Sequence, residues 1–314
     1  MMTSNDYVGV DVSKQHLDCF VGSNQSHWRV GNNANGMAEL VRRLSGLSHP
    51  HLICEATGSY TRLLMGEASR QGFAMSRVNP RQIRSFARAC GQLAKTDRID
   101  AAIMVRFAHA MQPPVSPPAD ATSLQLADCV RRRRQLIDML VMEKQRLEHP
   151  ETEEVLADIA EHITYLKSRI EAQDRLIQTR IEADTRLARR SQVLCSVPGI
   201  GATTAAVLIA ELPELGQIGQ KQIAALVGVA PINHDSGLAR GQAHIGGGRL
   251  SVRCALYMAT ISAIRVNPPI KAFYKRLREQ GKPAKLAITA AMRKLIIIAN
   301  TMIEKDTLWK ANPD

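Results

Sequence analysis

Apolar and polar residues along the first third of the chain change period twice. Residues 7–12, 16–21 and 27–30 are short β-branched runs separated by turn residues. Three such runs joined by short polar turns predict an antiparallel meander. Within 36–47, Met37, Leu40, Val41 and Leu44 recur at helical spacing, and 51–54 is a compact strand closed by Glu55. Residues 59–71 read as a helix, 73–78 as a strand and 80–90 as another helix. A β-α-β-α succession needs parallel pairing, so the whole segment predicts an α/β unit, a mixed sheet flanked by helices. Pro113, Pro114, Pro117 and Pro118 cannot continue a helix and put a domain boundary at residue 115.

Residues 123–190 are almost free of Gly and Pro, Pro150 excepted, and Ile159, Ile163, Leu166, Ile170, Ile177 and Ile181 fit a heptad seam. A helical coiled-coil segment over 116–190 follows, a long hairpin broken near His149 and Pro150. Its stripe pairs either with a second protomer or within the hairpin. Residues 191–314 form a third, mainly α unit. It has helices at 202–211 and 221–227, a polar glycine-rich stretch to Gly248, and helices at 250–266, 270–280 and 284–304.

Composition narrows the function. At 45% hydrophobic and 22% charged, the 314-residue chain has apolar material for two or three cores, which excludes a disordered protein. The net charge is +12, and 240–310 holds fourteen basic against three acidic residues, +11. A basic excess held in one region is the footprint of a polyanion, most often nucleic acid. A membrane partner is disfavoured: the apolar run from Leu295 ends at Asn300, far short of the roughly 18 residues a spanning helix needs. Residues 1–6 are polar, so no secretory signal is expected. The six cysteines lie 35 or more residues apart and form no C-x-x-C pair, which argues against a zinc ribbon or disulfide framework. They read as small, mostly buried hydrophobes in a reducing cytoplasm, and the nine scattered histidines make no metal pattern.

The acids carry the chemistry. Asp11 interrupts an apolar strand, and burying an unpaired carboxylate costs several kcal/mol. It is expected at a strand end facing a cation or a cleft. Glu55 repeats the situation after Leu52-Ile53-Cys54, and the carboxyl ends of parallel strands share one crevice. Asp97 and Asp100, three apart, share a helix face. Four carboxylates around one cleft repel each other unless divalent cations occupy it, and hard oxygen donors suit Mg²⁺ or Mn²⁺, a pairing used for in-line phosphoryl displacement. Simpler roles stay open: Asp97 as a helix N-cap with Asp100 in the first turn, Glu55 as an arginine's partner. A strand-borne Asp after Gly also opens the sugar-kinase and actin-like phosphate fold.

Val197-Pro198-Gly199-Ile200-Gly201 before a helix looks like the hairpin of helix-hairpin-helix modules, where Gly199 and Gly201 would let backbone N–H groups reach a phosphate. Ser236, in Asn233-His234-Asp235-Ser236-Gly237, is the only serine between Ser196 and Ser251. Arg240, His244, Arg249 and Arg253 stand near it in sequence, where a serine attacking a phosphodiester needs cations. With Arg293 and Lys294 further on, these arginines are the candidate nucleic-acid contacts. A Ser-Gly turn with no chemistry is the plain alternative.

Taken together, Tyr7 to Lys14, Cys54-Glu55-Ala56-Thr57-Gly58, Leu93 to Ala101, Val197 to Gly201 and the Ser236 to Tyr257 stretch resemble the DEDD transposases of bacterial insertion sequences: the one-ten family, eleven-eleven branch, relatives of the Piv DNA invertase. Asn267-Pro268 and Met292-Arg293-Lys294-Leu295 extend the likeness over nearly the whole chain. The resemblance implies an N-terminal RuvC-like domain of RNase H fold whose four acids are Asp11, Glu55, Asp97 and Asp100. It also implies a coiled-coil linker and a C-terminal transposase domain with Ser236 as catalytic serine. Family members act as homo-oligomers in which one protomer's acids and another's serine form a composite site. They join a circular element to target DNA through a covalent phosphoserine, guided by an element-encoded RNA. Other readings are a RuvC-like nuclease hydrolysing branched DNA and an inactive nucleic-acid-binding scaffold. A bacterial cytoplasmic, nucleoid-associated location is expected.

Overall fold

The computed structural model describes residues 6–56, 60–94, 96–116, 120–149, 151–233 and 243–310. Two compact units, 1–121 and 122–314, divide the chain.

Unit 1 runs β1 (Asp6–Val12), β2 (His16–Val21), β3 (His27–Gly31), α1 (Ala34–Leu44), β4 (Pro50–Glu55), α2 (Arg62–Gln71), β5 (Ala74–Val78), α3 (Pro80–Ala89) and α4 (Asp97–Met111). The five strands form one sheet in the order β3-β2-β1-β4-β5. The predicted meander is present as antiparallel β1-β2-β3, and β4 and β5 run parallel to β1. Side chains alternate faces along a strand, and each face has its own core. Val8, Val10, Leu17, Cys19 and Leu52 pack with Leu40 and Leu44 of α1 and Leu64 of α2. On the other face Ile53 and Val78 pack with Ile83 and Ala87 of α3 and Ile103, Met104 and Phe107 of α4.

Gly9 sets how closely α4 approaches the sheet. A Cβ built on Gly9 would collide with the Ala101 carbonyl and stand 3.2 Å from Met104 Cβ. The helix backbone therefore rests directly on β1. Beyond α4 the proline segment is fastened to the free edge of β5: Ser116 N–H donates to Met75 O (2.8 Å), and Ser116 Oγ accepts from Arg77 N–H (2.9 Å).

Unit 2 contains α5 (Ala121–Arg146), α6 (Glu153–Glu182), α7 (Thr185–Ser196), α8 (Ala202–Glu211), α9 (Gln220–Val227), β6 (Pro231–Ile232), β7 (His244–Ile245), α10 (Leu250–Val266), α11 (Pro268–Glu279) and α12 (Ala284–Glu304). The helical hairpin is α5 and α6, and three polar pairs fix them as antiparallel: Gln125–Arg180, Arg133–Asp174 and Glu143–His162. Ile159, Ile163, Leu166, Ile177 and Ile181 are buried within the single chain. Two features departed from expectation. The second long helix stops at Asp184, whose carboxylate accepts from the N–H groups of Arg186 and Leu187 and starts α7. The polar stretch after Pro231 opens and closes on a two-residue ladder, Pro231 opposite Ile245 and Ile232 opposite His244.

By length and composition α12 could cross a membrane. Its Ala287, Ala291, Met292, Leu295, Ile296 and Ala299 are instead buried in the core of unit 2. All six cysteines are free; Cys19, Cys54 and Cys129 are buried as expected, whereas Cys195 and Cys254 are exposed.

Candidate active site

Sheet register draws the acids toward one place. Val10 pairs with Cys54, so Asp11 lies one step beyond, level with Glu55 on the adjacent parallel strand. Asp11 shares the face of Gly9, and Glu55 that of Ile53, the face covered by α3 and α4. Asp100 precedes Ala101, the residue seated on Gly9. Glu55 and Asp100 line one cleft of about 280 Å³ together with Pro80, Ile83, Arg84 and Ala87.

The capping role weighed for Asp97 falls to Thr96, whose hydroxyl accepts from Ile99 N–H (3.3 Å). Asp97 and Asp100 thus both stand in the first turn of α4, where the helix dipole favours carboxylates.

Two residues of this site escaped the sequence reading. Asp18 on β2 lies directly opposite Asp11, and Arg29 on β3 directly opposite Asp18. One transverse row therefore crosses four strands as Glu55, Asp11, Asp18, Arg29. Asp18 is 2% exposed. Both its oxygens accept from Arg29 Nε at 3.0 Å, and His27 Nε2 lies 3.3 Å away. From that anchor a terminal nitrogen of Arg29 reaches Asp97 Oδ2 at 3.2 Å. The hydrogen bond to Asp18 raises the already high pKa of Arg29 further, so a fixed cation stands beside the α4 acids. Asp18 carried the same signal as Asp11, a carboxylate inside an apolar run.

Carboxylate oxygens are the donors hard divalent ions prefer. Cys54, next to Glu55, adds no thiolate, because burial pushes its thiol up to about 12. Carboxylate donors have the chemistry that Mg²⁺ or Mn²⁺ takes, but among the described residues no three His, Cys, Asp or Glu side chains stand close enough to hold an ion.

Comparison with known proteins adds to this geometry. Residues 8–150 match a family described as Transposase, of the IS110 DEDD type, and 191–275 match the Transposase IS116/IS110/IS902 family. The pilin gene-inverting protein of Moraxella bovis is 30% identical over 313 residues, 96% of this chain and 97% of that protein. Its counterpart in Moraxella lacunata matches to the same extent. The chain belongs to the IS110 family of transposases. An uncharacterized 43.6 kDa protein of insertion element IS110 from Streptomyces coelicolor is 26% identical over 144 residues, 45% of this chain and 36% of that one. The IS110 transposase and invertase family carries out DNA strand cleavage and rejoining, so the transposase is a DNA recombination enzyme.

In unit 2 of the IS110-family chain, the expected contacts fall into different situations. Ser236 and Arg240 lie outside the described residues, in the segment that β6 and β7 bracket. Thr57, Gly58, Ser59 and Lys95 are outside them as well. Arg249 is held by Glu214 through two bonds of 2.6 Å and by the Glu211 carbonyl, and Arg253 donates to Gly247 O. These two arginines brace the chain that leads into α10. Gly199, at φ +101°, lets the backbone touch Ala263 of α10 rather than open space. Gly201 is the exposed N-cap of α8, with open space where a Cβ would stand and no side-chain cap on the helix. Lys294 lies over the Phe273 ring at 5.0 Å and near Pro269 O, while Arg293 Nε is buried with no hydrogen-bond partner among the described residues.

Proposed function

We propose that this transposase cuts and rejoins DNA strands of its element with a RuvC-like acidic site in unit 1 and Ser236 as nucleophile. Asp11, Glu55, Asp97 and Asp100 hold the divalent ions, Mg²⁺ or Mn²⁺. The observation that supports it most is the convergence of two strand-end carboxylates and the first turn of α4 on one sheet face. The strand order, an antiparallel meander continued by two parallel strands, is compatible with an RNase H-like domain and supports the same reading.

Bound ions supply Lewis-acid stabilisation of charge on the phosphoryl oxygens. Ser236 Oγ gives up its proton to a base and bonds to the scissile phosphorus, while the P–O bond to the leaving deoxyribose oxygen breaks and that oxygen takes up a proton. Rejoining reverses the exchange, a strand hydroxyl displacing Ser236. One phosphodiester is traded for one phosphoserine ester, so no nucleotide energy source enters. The exposed N-terminus of α8 at Gly201 holds a backbone phosphate. An element-encoded RNA and a homo-oligomer complete the proposed assembly.

The test is to incubate the chain with Mg²⁺, the element's RNA and labelled end-junction DNA, denature, and look for a protein-linked strand. An adduct in wild type that is absent from Ser236→Ala is expected. Cleaved free ends with no adduct in either protein would replace the serine with hydrolysis by water.

A further inference from the structure

Positive charge in this chain is concentrated in a second place besides the C-terminal unit. Between Glu67 and Asp97 there are six basic residues, Arg70, Arg77, Arg81, Arg84, Arg88 and Lys95, and no acidic one. Three of them belong to α3, at i, i+3 and i+7. That spacing puts Arg81, Arg84 and Arg88 within about 60° of one another around the helix, on a side distinct from the Ile83 and Ala87 face that packs into the core. Arg81 and Arg88 are exposed, and neither makes an ion pair among the described residues; Arg84 is half-buried and donates to the Leu93 carbonyl at 3.2 Å. Exposed guanidinium groups aligned on one helix side offer a positive surface to an anion.

Its position names the anion. Glu55 pairs with Val78, Asn79 follows as the N-cap of α3, and Pro80 begins the helix, so the stripe starts at the sheet edge that carries Glu55. Arg84 lines the same cleft as Glu55 and Asp100. At 1.5 Å rise per residue, Arg81 to Arg88 spans about 10 Å along the helix, the axial length of about three nucleotides of one strand. We propose that α3 is the seat of the DNA strand being cut, Arg81, Arg84 and Arg88 holding the phosphates next to the one presented to the acids. The proposal rests on the acidic-site reading for the identity of that strand. Guanidinium contacts to phosphates carry no base information, so the seat positions the strand and leaves sequence choice elsewhere.

The experiment titrates full-length protein with a labelled DNA duplex of arbitrary sequence, without divalent ions, over a range of NaCl concentrations. Each phosphate contact contributes about 0.9 to the slope of log K against log salt. The Arg81→Ala/Arg84→Ala/Arg88→Ala variant is expected to lose about 2.7 from that slope. Should removal of the Arg84 bond to Leu93 unfold the unit, Arg81→Ala/Arg88→Ala leaves that bond in place and is expected to lose about 1.8. An unchanged slope in folded protein overturns the proposal. So does a loss seen only with the element's RNA and not with DNA, which would make α3 an RNA contact. Glu55→Gln separates the two readings: it keeps the wild-type slope, and its cleavage reports on the acidic site alone.

Discussion

Glu55→Gln and Asp100→Asn each lower Mg²⁺-dependent strand cleavage by at least ~10³-fold, about 4 kcal/mol of transition-state stabilisation, while the protein stays folded. Both substitutions keep size and remove charge, and both groups line the same cleft. The loss is one of charge where ions would be held, so restoring the shape alone does not restore activity. Asp97→Asn is expected to do less, because Asp97 is the more exposed acid and already answers to a protein cation, Arg29. Single-turnover cleavage of labelled junction DNA checks all three, with the unfolding midpoint as control. Equal, small losses at Glu55 and Asp100 would mean that the cleft is not where chemistry occurs.

The second large effect comes from a residue with no chemistry. Gly9→Val destabilises unit 1 by roughly 3 kcal/mol or more, because a side chain there meets the Ala101 backbone and Met104. Backbone of a helix cannot step aside as a flexible side chain would. If unit 1 does fold, α4 is pushed off β1 and carries Asp97 and Asp100 away from Asp11 and Glu55. Gly9→Ala shows the same direction to a smaller extent, since one methyl already collides. Chemical unfolding gives the stability change, and cleavage at a temperature where the variant is folded gives the second effect. A Gly9→Val protein as stable and active as wild type would remove the close seating of α4 from the account.

Strand and helix succession in unit 1 was legible because period-two and helical patterns were separated by turn residues, and the proline cluster after α4 was visible directly. Asp11 and Glu55 announced themselves as charges in apolar strands. Asp18 carried the same signal, but its role lies in register: only the pairing of two hairpins reveals that it faces Asp11 and holds Arg29. The internal partners of Arg249 and Arg253 were not legible because they are remote or on the backbone; Glu214 is 35 residues from Arg249 in sequence. The arginine stripe of α3 was hidden by counting charge over the whole chain, where the larger excess of residues 240–310 dominates. Asp184 carried a standard capping signal, but the stretch almost free of Gly and Pro that runs on to residue 190 hid the end of α6.

Four carboxylates on two strands and one helix turn are proposed to form a single divalent-ion site. Titration of the DNA-free protein with Mn²⁺, followed by the paramagnetic resonance signal of the free ion, tests it without reference to catalysis. The account predicts Mn²⁺ bound by wild type and displaced by Mg²⁺, with affinity falling at least ~10-fold in Asp11→Asn, Glu55→Gln and Asp100→Asn alike. Mn²⁺ binding that is the same in wild type and all three variants would contradict it.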